Sequence, residues 1–413
     1  MPPRLSRRLD WNTTQNPLSQ VEAVARAAGR LRFDLTSTNP TTVELFDDGP
    51  KLAGALGRAA MACLARYTPA PGGSPEGRRA VAADALATRG VVIDPERLVL
   101  TTSSSESYSF LFKLLCDPGD RVLVPQPSYP LFDYLARLEG VETLPYRLED
   151  AGHMGHAGSA RWEVDLPALD QALRLHGERV RALVVVSPNN PTGSVLRRDT
   201  LAALDARCAE RDMAIVSDEV FGDFVTRPDP EHVPSVAATP TACLTFSLGG
   251  LSKSCGLPHL KLGWIALGGP PETTRLAIDA LELILDTYLP VAAPTEQALP
   301  ELLQLGAGRR AAITRRLATN RRILADTLAP PSPVTALPAE GGWLSILRLP
   351  AIQSDEAWAT ELLTEDGVLV QPGYFFDLPR DSHVVVSLLP PPAVFADGIR
   401  ALAHRVAVRM PPG

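Results

Sequence analysis

Short apolar runs alternate with longer stretches of helical periodicity between residues 46 and 285. Several of these runs are continuous in Val, Ile and Leu, which is typical of strands in a parallel sheet that helices cover on both faces. The predicted strands are 98–102, 121–125, 182–187, 214–217, 243–248 and 262–267. The predicted helices between them are 75–88, 105–116, 129–138, 166–175, 199–211 and 271–285. This alternation predicts an α/β architecture in which ligands bind at the carboxyl ends of the strands.

The two ends of the chain follow different patterns. Residues 1–45 are polar, arginine-rich and broken by proline, and they predict an N-terminal arm with one helix at 17–29 that joins a smaller domain. Residues 286–413 begin with a long interdomain helix, 294–328, which we expect to break between Gly306 and Gly308. The small domain is predicted to be α+β, with strands 343–347, 368–370 and 384–389 and helices 354–363 and 393–406. The large domain, 46–285, is the predicted ligand-binding unit.

Composition and charge exclude several classes of protein. The 413 residues are 45% hydrophobic and 21% charged, as in a folded globular protein, and the formal net charge of −7 argues against a nucleic-acid partner. No apolar stretch is long enough for a membrane span, and no apolar segment follows the N-terminal arginines, so we expect a cytoplasmic protein. The five cysteines lack CxxC spacing, and His153 and His156 have no further ligands nearby. We therefore expect neither disulfides nor a metal site.

Lysine is rare in this chain. Of the 40 basic residues, four are lysines: Lys51, Lys113, Lys253 and Lys261. Lys253 lies in a loop of small residues, GGLSKSCGLP (249–258), directly after a predicted strand. Such a loop lets the lysine amine approach a ligand closely, and a lysine amine can enter covalent catalysis by forming a Schiff base. The alternative is an exposed loop lysine, which is the usual environment of this residue type.

Two further motifs follow predicted strands of the same sheet. SPNNPTG (187–193) follows the most apolar strand, and SDEVF (217–221) closes the next one. A carboxylate such as Asp218 at the end of a buried strand is costly unless it pairs with a cation, and a protonated pyridine nitrogen is one such partner. Asn190 could then donate its side-chain amide to a ring oxygen. The alternatives are an asparagine–proline turn and an aspartate that caps a helix.

The order and spacing of SPNNPTG, SDEVF and GGLSKSCGLPHLKLGW resemble the signatures of the fold-type-I pyridoxal-phosphate enzymes of the class I/II aminotransferase family. The resemblance implies a large domain with a mostly parallel seven-stranded sheet between helices, and a smaller α+β domain. It also implies pyridoxal 5'-phosphate as cofactor. The implied reaction transfers an amino group between a small-molecule amino donor, an amino acid or amine, and a keto acceptor.

The resemblance further implies a role for individual residues. Lys253 would carry the cofactor as a Schiff base, Asp218 would pair with the pyridine nitrogen, and Asn190 would contact the phenolic oxygen. Tyr129, in PSYP, is similar to the aromatic residue that stacks on the ring. The implied catalytic residues are thus Lys253, Asp218 and Tyr129. The other implied cofactor contacts are Ser104, Ser105, Ser252, Lys261 and Tyr67.

The phosphate of the cofactor is expected at SSSE (103–106), where a helix begins. Ser104 and Ser105 lie in this turn, and the free N–H groups and the dipole of a helix start favour an anion there. Tyr67, in RYTP, resembles the tyrosine that reaches the phosphate of the neighbouring subunit. That similarity implies a homodimer with its sites at the subunit interface.

The chain departs from the family pattern at several positions, of which three bear most directly on the cofactor and the substrate. Lys261, eight residues after Lys253, replaces an arginine, so the positive charge is kept and the bidentate fork is lost. Phe221 replaces a tyrosine and cannot donate a hydrogen bond to the phenolic oxygen. Val385 lies where the family carries the arginine that binds the α-carboxylate of the substrate.

The family motifs therefore identify fewer residues for substrate binding than for cofactor binding. The implied substrate residues are Asn39 and Arg380, and Arg348 is a second candidate to replace the missing arginine. Arg380 lies between Asp377 and Asp381, so a surface salt bridge is the preferred interpretation of this residue.

The leading hypothesis is an aminotransferase that works through a Lys253 Schiff base. A pyridoxal-phosphate-dependent lyase, decarboxylase or oxidative deaminase on the same fold is the alternative, and release of pyruvate or ammonia without an amino acceptor would mark that class. A cofactor-sensing regulatory domain fused to a DNA-binding module is a third hypothesis. The first 45 residues contain no helix-turn-helix pattern, which argues against it.

Overall fold

The computed structural model of the chain describes residues 5–11, 14, 16–64, 66–150, 161–379 and 382–410. Arg380, His153 and His156, which the sequence singled out, lie outside the described residues. The helices are α1 (Pro17–Ala27), α2 (Gly49–Leu64), α3 (Pro75–Arg89), α4 (Ser104–Leu115), α5 (Phe132–Leu138), α6 (Leu166–His176), α7 (Arg198–Ala209), α8 (Leu251–Ser254), α9 (Pro271–Tyr288), α10 (Ala293–Thr327), α11 (Asp355–Asp366) and α12 (Pro392–Arg409). Among the described helices, none has the length and apolar composition that crossing a membrane requires.

The strands form one large sheet, one small sheet and a two-stranded pair. The strands are β1 (Phe33–Asp34), β2 (Leu98–Thr101), β3 (Arg121–Gln126), β4 (Glu142–Asp150), β5 (Trp162–Val164), β6 (Val180–Val186), β7 (Ala214–Asp218), β8 (Thr245–Gly250), β9 (Gly263–Gly268), β10 (Thr335–Ala336), β11 (Leu344–Arg348), β12 (Val368–Leu369), β13 (Gln371–Pro372) and β14 (His383–Ser387).

In the described part of the chain, the large sheet has eight strands in the order β2-β9-β8-β7-β6-β3-β4-β5. Neighbours from β8 to β4 pair in parallel, whereas β9 is antiparallel to both its neighbours and β5 is antiparallel to β4. Side chains from α4, α5 and α9 pack on one face of the sheet, and those from α6 and α7 pack on the other. The mostly parallel sheet between helices that the sequence predicted is confirmed.

The sheet has one strand more than the seven that the family resemblance implied, because Trp162–Val164 adds β5 at the edge. Strand β4 is not among the runs predicted from the sequence. Its side chains include exposed Glu142 and Arg147 as well as buried Tyr146 and Leu148, so it lacks a continuous apolar run. An outer strand that helices cover less completely keeps polar residues for this reason.

The small sheet is antiparallel, in the order β10-β11-β14-β13. Strand β1, from the N-terminal part of the chain, pairs in parallel with β12, so that Phe33 lies opposite Val368. The core beside the small sheet includes Trp343, Trp358 and Phe395, each at most 1% exposed. The N-terminal residues therefore pack with the C-terminal third of the chain.

Helix α10 is continuous over 35 residues, so the break expected between Gly306 and Gly308 is wrong. A Cβ at position 306 would overlap the Sγ atom of Cys255. Glycine is needed at this position because α10 packs closely against the segment that follows Lys253, and the helix continues through it.

The second half of α10 holds the segment that follows β14. Arg316 donates to the carbonyl oxygen of Leu389 at 2.7 Å. The Nδ2 atom of Asn320, which is fully buried, donates to the carbonyl oxygens of Leu388 at 2.9 Å and Pro390 at 2.8 Å. One helix thus binds backbone groups next to the small sheet.

The first half of α10 holds the segment after Lys253 through Arg309, which is 5% exposed. Its guanidinium donates to the carbonyl oxygens of Cys255 at 2.8 Å and Gly256 at 2.9 Å. It also pairs with Asp48, and it lies 3.5 Å from the ring centroid of Phe46. Arg309 therefore joins three separate parts of the chain.

We expect Arg309→Ala to lower the free energy of unfolding by about 3–5 kcal/mol, because removing one partner of a buried pair leaves the other charge without compensation. Urea unfolding of the purified variant measures this loss. The matched control is Arg400→Ala, since Arg400 is exposed and pairs with Asp397 only one helical turn away. Equal losses of unfolding free energy in the two variants would contradict a stabilising role for Arg309.

Candidate active site

Residues from three sequence motifs lie at the carboxyl ends of β6, β7 and β8. These strands are parallel neighbours, so the residues that follow them lie side by side. Asn190 follows β6, Asp218 is the last residue of β7, and Lys253 lies on α8 directly after β8. The structure therefore brings the three predicted residues to one edge of the large sheet.

The Lys253 amine lies beside a pair of aromatic rings that pack against each other. Its Nζ atom is 5.2 Å from the ring centroid of Trp343 and 5.6 Å from that of Phe221. Among the described residues, no carboxylate lies within ion-pair distance of this Nζ atom. Burial lowers the pKa of Lys253, and the charge of Asp218 opposes that shift in part. The amine therefore loses its proton more readily than an exposed lysine, as a nucleophile or a base requires.

The carboxylate of Asp218 is held from two sides. Its Oδ1 atom accepts a hydrogen bond from the backbone N–H of Val220 at 3.1 Å, and its Oδ2 atom accepts one from the Tyr108 hydroxyl at 3.3 Å. Burial raises the pKa of Asp218 to about 6, although both hydrogen bonds and the charge of Lys253 act in the opposite direction. A cationic ligand atom would stabilise this carboxylate.

The two asparagines of SPNNPTG have different environments. The Oδ1 atom of Asn189 accepts hydrogen bonds from the backbone N–H of Thr192 at 3.2 Å and from its hydroxyl at 2.9 Å. The Oδ1 atom of Asn189 thus stabilises the turn, while its buried Nδ2 atom has no partner among the described residues. The Oδ1 atom of Asn190 is buried and has no hydrogen-bond partner among the described residues. Asn190 is thus available to a polar ligand atom.

The expected phosphate turn begins helix α4. Ser103 is its N-cap, and the Ser103 hydroxyl accepts a hydrogen bond from the backbone N–H of Glu106 at 3.2 Å. The Glu106 carboxylate accepts one from the N–H of Thr102 at 2.7 Å. Ser104 and Ser105 are the first residues of the helix, where backbone N–H groups lack helical partners. Their N–H groups can bind an anion.

The remaining cofactor candidates lie at the rim of the site or beyond it. Ser252 is half-buried beside Lys253, and Lys261 is exposed, with a left-handed φ of 49°. Tyr129 is 44% exposed, and burial together with the charge of Asp218 raises its pKa. Tyr67 is 68% exposed on the surface of the chain.

The substrate candidates occupy three different environments. Asn39 is exposed in a turn, where its Oδ1 atom accepts hydrogen bonds from the N–H of Thr41 at 3.0 Å and from its hydroxyl at 2.7 Å. Val385 is fully buried in the middle of β14. Arg348 is exposed at the end of β11, opposite His383 in register, so it does not occupy the position of Val385.

Sequence reasoning missed Tyr108 and Trp343. The spacing offered a signal for Tyr108, because it lies four residues after Ser104 on the same helix and so on the same face. Trp343 had no comparable signal, since only the folding of β11 against the large sheet brings it to Lys253. Its ring is 1% exposed, and its Nε1 atom has no hydrogen-bond partner within the described ranges.

These residues fit pyridoxal phosphate. A lysine amine of lowered pKa suits its carbonyl carbon, the carboxylate of Asp218 suits its ring nitrogen, and the start of α4 suits its phosphate. The unpartnered Asn190 Oδ1 and Trp343 Nε1 atoms show that the site holds polar groups which the described chain itself does not satisfy.

Residues 9–391 match the family described as Aminotransferase class I and II. The chain belongs to this family. It is therefore an aminotransferase, and the family implies the use of pyridoxal phosphate.

Similar proteins agree with this assignment. The aminotransferase is 28% identical to the valine–pyruvate aminotransferase of Mycobacterium tuberculosis over 80% of this chain and 81% of that one. It is 29% identical to the aspartate/prephenate aminotransferase of Thermus thermophilus over 86% and 84% of the two chains. The solved structure of an alanine aminotransferase from Pyrococcus furiosus superposes with a TM-score of 0.84 at 21% identity, covering 98% of this chain and 100% of the other. That structural likeness shows the same fold.

The raised pKa of Asp218 predicts a pH dependence of stability in the cofactor-free aminotransferase. Between pH 3.8, the ordinary pKa of an aspartate, and about pH 6, the folded chain still binds a proton at Asp218, whereas the unfolded chain has released it. The free energy of unfolding therefore falls as pH rises through this range. We expect Asp218→Asn to gain about 3 kcal/mol in unfolding free energy relative to the parent between pH 4 and pH 7. Urea unfolding at a series of pH values measures the difference.

Asp170→Asn is the control with the opposite sign. The hydrogen bond from Arg207 lowers the pKa of Asp170, so this variant should lose stability relative to the parent as pH rises toward 4. A difference between parent and Asp218→Asn that stays constant with pH would show that the pKa of Asp218 is not raised.

Proposed function

We propose that this aminotransferase binds pyridoxal 5'-phosphate at Lys253 and transfers an amino group between an amino acid or amine and a keto acid. The observation that carries the proposal is the position of the Lys253 Nζ atom, beside two aromatic rings at the sheet edge that also holds Asp218 and Asn190. When bound, the cofactor supplies a carbonyl carbon that amines attack and a ring that accepts the electron pair left on the substrate carbon.

Lys253 moves the proton of the reaction. Because burial lowers its pKa, its amine can take a proton from the substrate carbon at Nζ and return it. Phe221 and Trp343 line the space around Nζ with apolar surface, which excludes water from the proton that is moved.

The residues around Lys253 orient the cofactor. Asp218 would hold the positive charge on the ring nitrogen, and the side-chain amide nitrogen of Asn190 would donate to the phenolic oxygen. Tyr129 covers the ring, and the effect of the Asp218 charge on its pKa indicates that the two side chains are close. Phe221 has no hydroxyl, so Asn190 is the donor that we assign to the phenolic oxygen.

The phosphate lies at the start of α4 in this proposal. The N–H groups of Ser104 and Ser105 would bind its oxygens, and Ser252 and Lys261 are the further contacts that we assign to it. Lys261 contributes a point charge rather than the planar fork of an arginine.

We propose Asn39 and Arg380 as substrate contacts because the family resemblance implies them. The names of the similar proteins, which include valine–pyruvate and aspartate/prephenate aminotransferases, support an amino acid as donor and a keto acid as acceptor. The apolar Val385 supports a carboxylate contact that comes from outside β14.

We propose a division of the chain into an arm (1–45), a large cofactor-binding domain (46–285), and a long helix with a small domain (286–413). The pairing of β1 with β12 supports the placement of the arm beside the small domain. We also propose a cytoplasmic location, which the five free cysteines support.

Borohydride reduction tests the assignment of Lys253. We expect reduced protein to carry the phosphopyridoxyl group on the peptide that contains Lys253, and we expect Lys253→Ala to lose both the label and the amino transfer. Lys113→Ala is the matched control, because Lys113 pairs with Glu139 and lies outside the site. Label on Lys261 would refute the assignment. Ammonia release without formation of an amino product from the keto acid would refute transfer as the reaction.

The surface of α2 and the segment after it supports a homodimer. Met61, Leu64 and Tyr67 are 76%, 79% and 68% exposed, which is unusual for three large apolar side chains so close in sequence. We propose that a second copy of the chain covers them and that Tyr67 reaches the phosphate in that copy.

We therefore expect the parent protein to sediment with twice the mass of one chain and Leu64→Glu to shift the equilibrium toward the monomer. A charge buried in an apolar interface is costly, which is the reason for the shift. Val408→Glu is the control, since Val408 is 62% exposed on α12. A parent protein that sediments as a monomer would contradict the dimer.

A further inference from the structure

The Tyr108 hydroxyl is the side-chain donor to the carboxylate of Asp218 within the described chain. It donates to Oδ2 at 3.3 Å, while the backbone N–H of Val220 donates to Oδ1 at 3.1 Å. The two donors come from different parts of the fold, since Tyr108 lies on α4 and Val220 follows β7. Together they fix the plane of the carboxylate.

Tyr108 is itself held firmly. Its side chain is 2% exposed, and its ring packs edge-on against Phe132, with centroids 5.2 Å apart and an interplanar angle of 83°. A second ring, that of Phe112, lies 5.8 Å away on the same helix. The hydroxyl can therefore not swing away from Asp218 without repacking this aromatic cluster.

The position of Tyr108 on α4 connects it to the proposed phosphate turn. Ser104 begins the helix, and Tyr108 lies one turn further along, a rise of about 6 Å. One rigid element thus carries both the donors assigned to the phosphate and the donor to Asp218. The distance between these two ends of the site is set by helix geometry.

We propose that Tyr108 is a positioning residue for amino transfer: its hydroxyl keeps the carboxylate of Asp218 ionised and oriented toward the cofactor's ring nitrogen. This inference rests on the proposed function, because it assigns a partner to the residue that the proposal places at that nitrogen. Tyr108 does not touch the reacting atoms and acts through Asp218.

Other groups near Asp218 also influence the ionisation of its carboxylate. Lys253 favours the ionised carboxylate, Glu219 disfavours it, and the charge of Asp218 in turn raises the pKa of Tyr129. Burial is the largest influence and disfavours the ion. Removal of the Tyr108 hydroxyl leaves each of these groups in place, so a change in the titration of Asp218 reports the hydroxyl alone.

The test compares Tyr108→Phe with Tyr146→Phe. Tyr146 is a matched control, because it is 3% exposed in the same domain and donates its hydroxyl to the carbonyl oxygen of Val184 at 2.8 Å, away from Asp218. In the cofactor-free full chain labelled with carbon-13 aspartate, the Asp218 carboxyl signal is assigned by its loss in Asp218→Asn. We expect its midpoint to rise by about one pH unit in Tyr108→Phe and to stay constant in Tyr146→Phe.

In the loaded enzyme, we expect Tyr108→Phe to lower kcat about tenfold with KM within about twofold, and Tyr146→Phe to leave both constant. In an Asp218→Asn background, Tyr108→Phe should have no further effect, because the partner of the hydroxyl is gone. An additive loss in the double variant would overturn the inference, as would an unchanged Asp218 midpoint in Tyr108→Phe. These outcomes are distinct from failure of the proposed function, which the borohydride label on Lys253 decides.

A second measurement covers the case in which Tyr108→Phe does not fold. Incorporation of 3-fluorotyrosine at position 108 keeps the ring and makes the hydroxyl a stronger donor. We expect it to lower the midpoint of the Asp218 carboxyl titration. A midpoint that rises or does not move would overturn the inference.

Discussion

The buried carboxylate of Asp218 is the constraint on which the site depends. It ends a strand of the sheet interior, where a negative charge is costly, and its two hydrogen bonds do not fully offset that cost, since its pKa remains raised. The nearby amine of Lys253 is in the converse situation, because burial favours its neutral form. The two groups therefore suit a ligand that places a positive charge next to Asp218 and a carbonyl carbon next to Lys253.

Such a site needs support from residues that take no part in the chemistry. Arg309 holds the carbonyl oxygens of Cys255 and Gly256, directly after Lys253, and Tyr108 holds the carboxylate from the opposite side. These contacts come from α10 and α4, two helices that are far apart in sequence. The positions of Lys253 and Asp218 thus depend on helices outside the strand ends that carry these two residues.

Much of this arrangement follows from the sequence, because the chemistry is concentrated at strand ends. The apolar runs before SPNNPTG and SDEVF placed Asn190 and Asp218 at one sheet edge, and the small-residue loop singled out Lys253. The local pattern could not show the hydrogen bonding of the two asparagines: the turn satisfies Oδ1 of Asn189, whereas Nδ2 of Asn189 and Oδ1 of Asn190 have no partner among the described residues. The local pattern also could not reveal Trp343, whose contact with Lys253 depends on packing between segments that are far apart in sequence. Gly306 in α10 led to a wrong prediction for a related reason, since close packing against Cys255, which is distant in sequence, requires glycine there.

Helix α10 has a consequence for how the two sheets can move. At 1.5 Å per residue its 35 residues form a rod about 50 Å long. Arg309 in its first half is hydrogen-bonded to the backbone after Lys253, and Asn320 in its second half is hydrogen-bonded to the backbone after β14. A rotation of the small sheet would therefore pass through α10 to the backbone that follows Lys253, because one continuous helix carries both sets of hydrogen bonds.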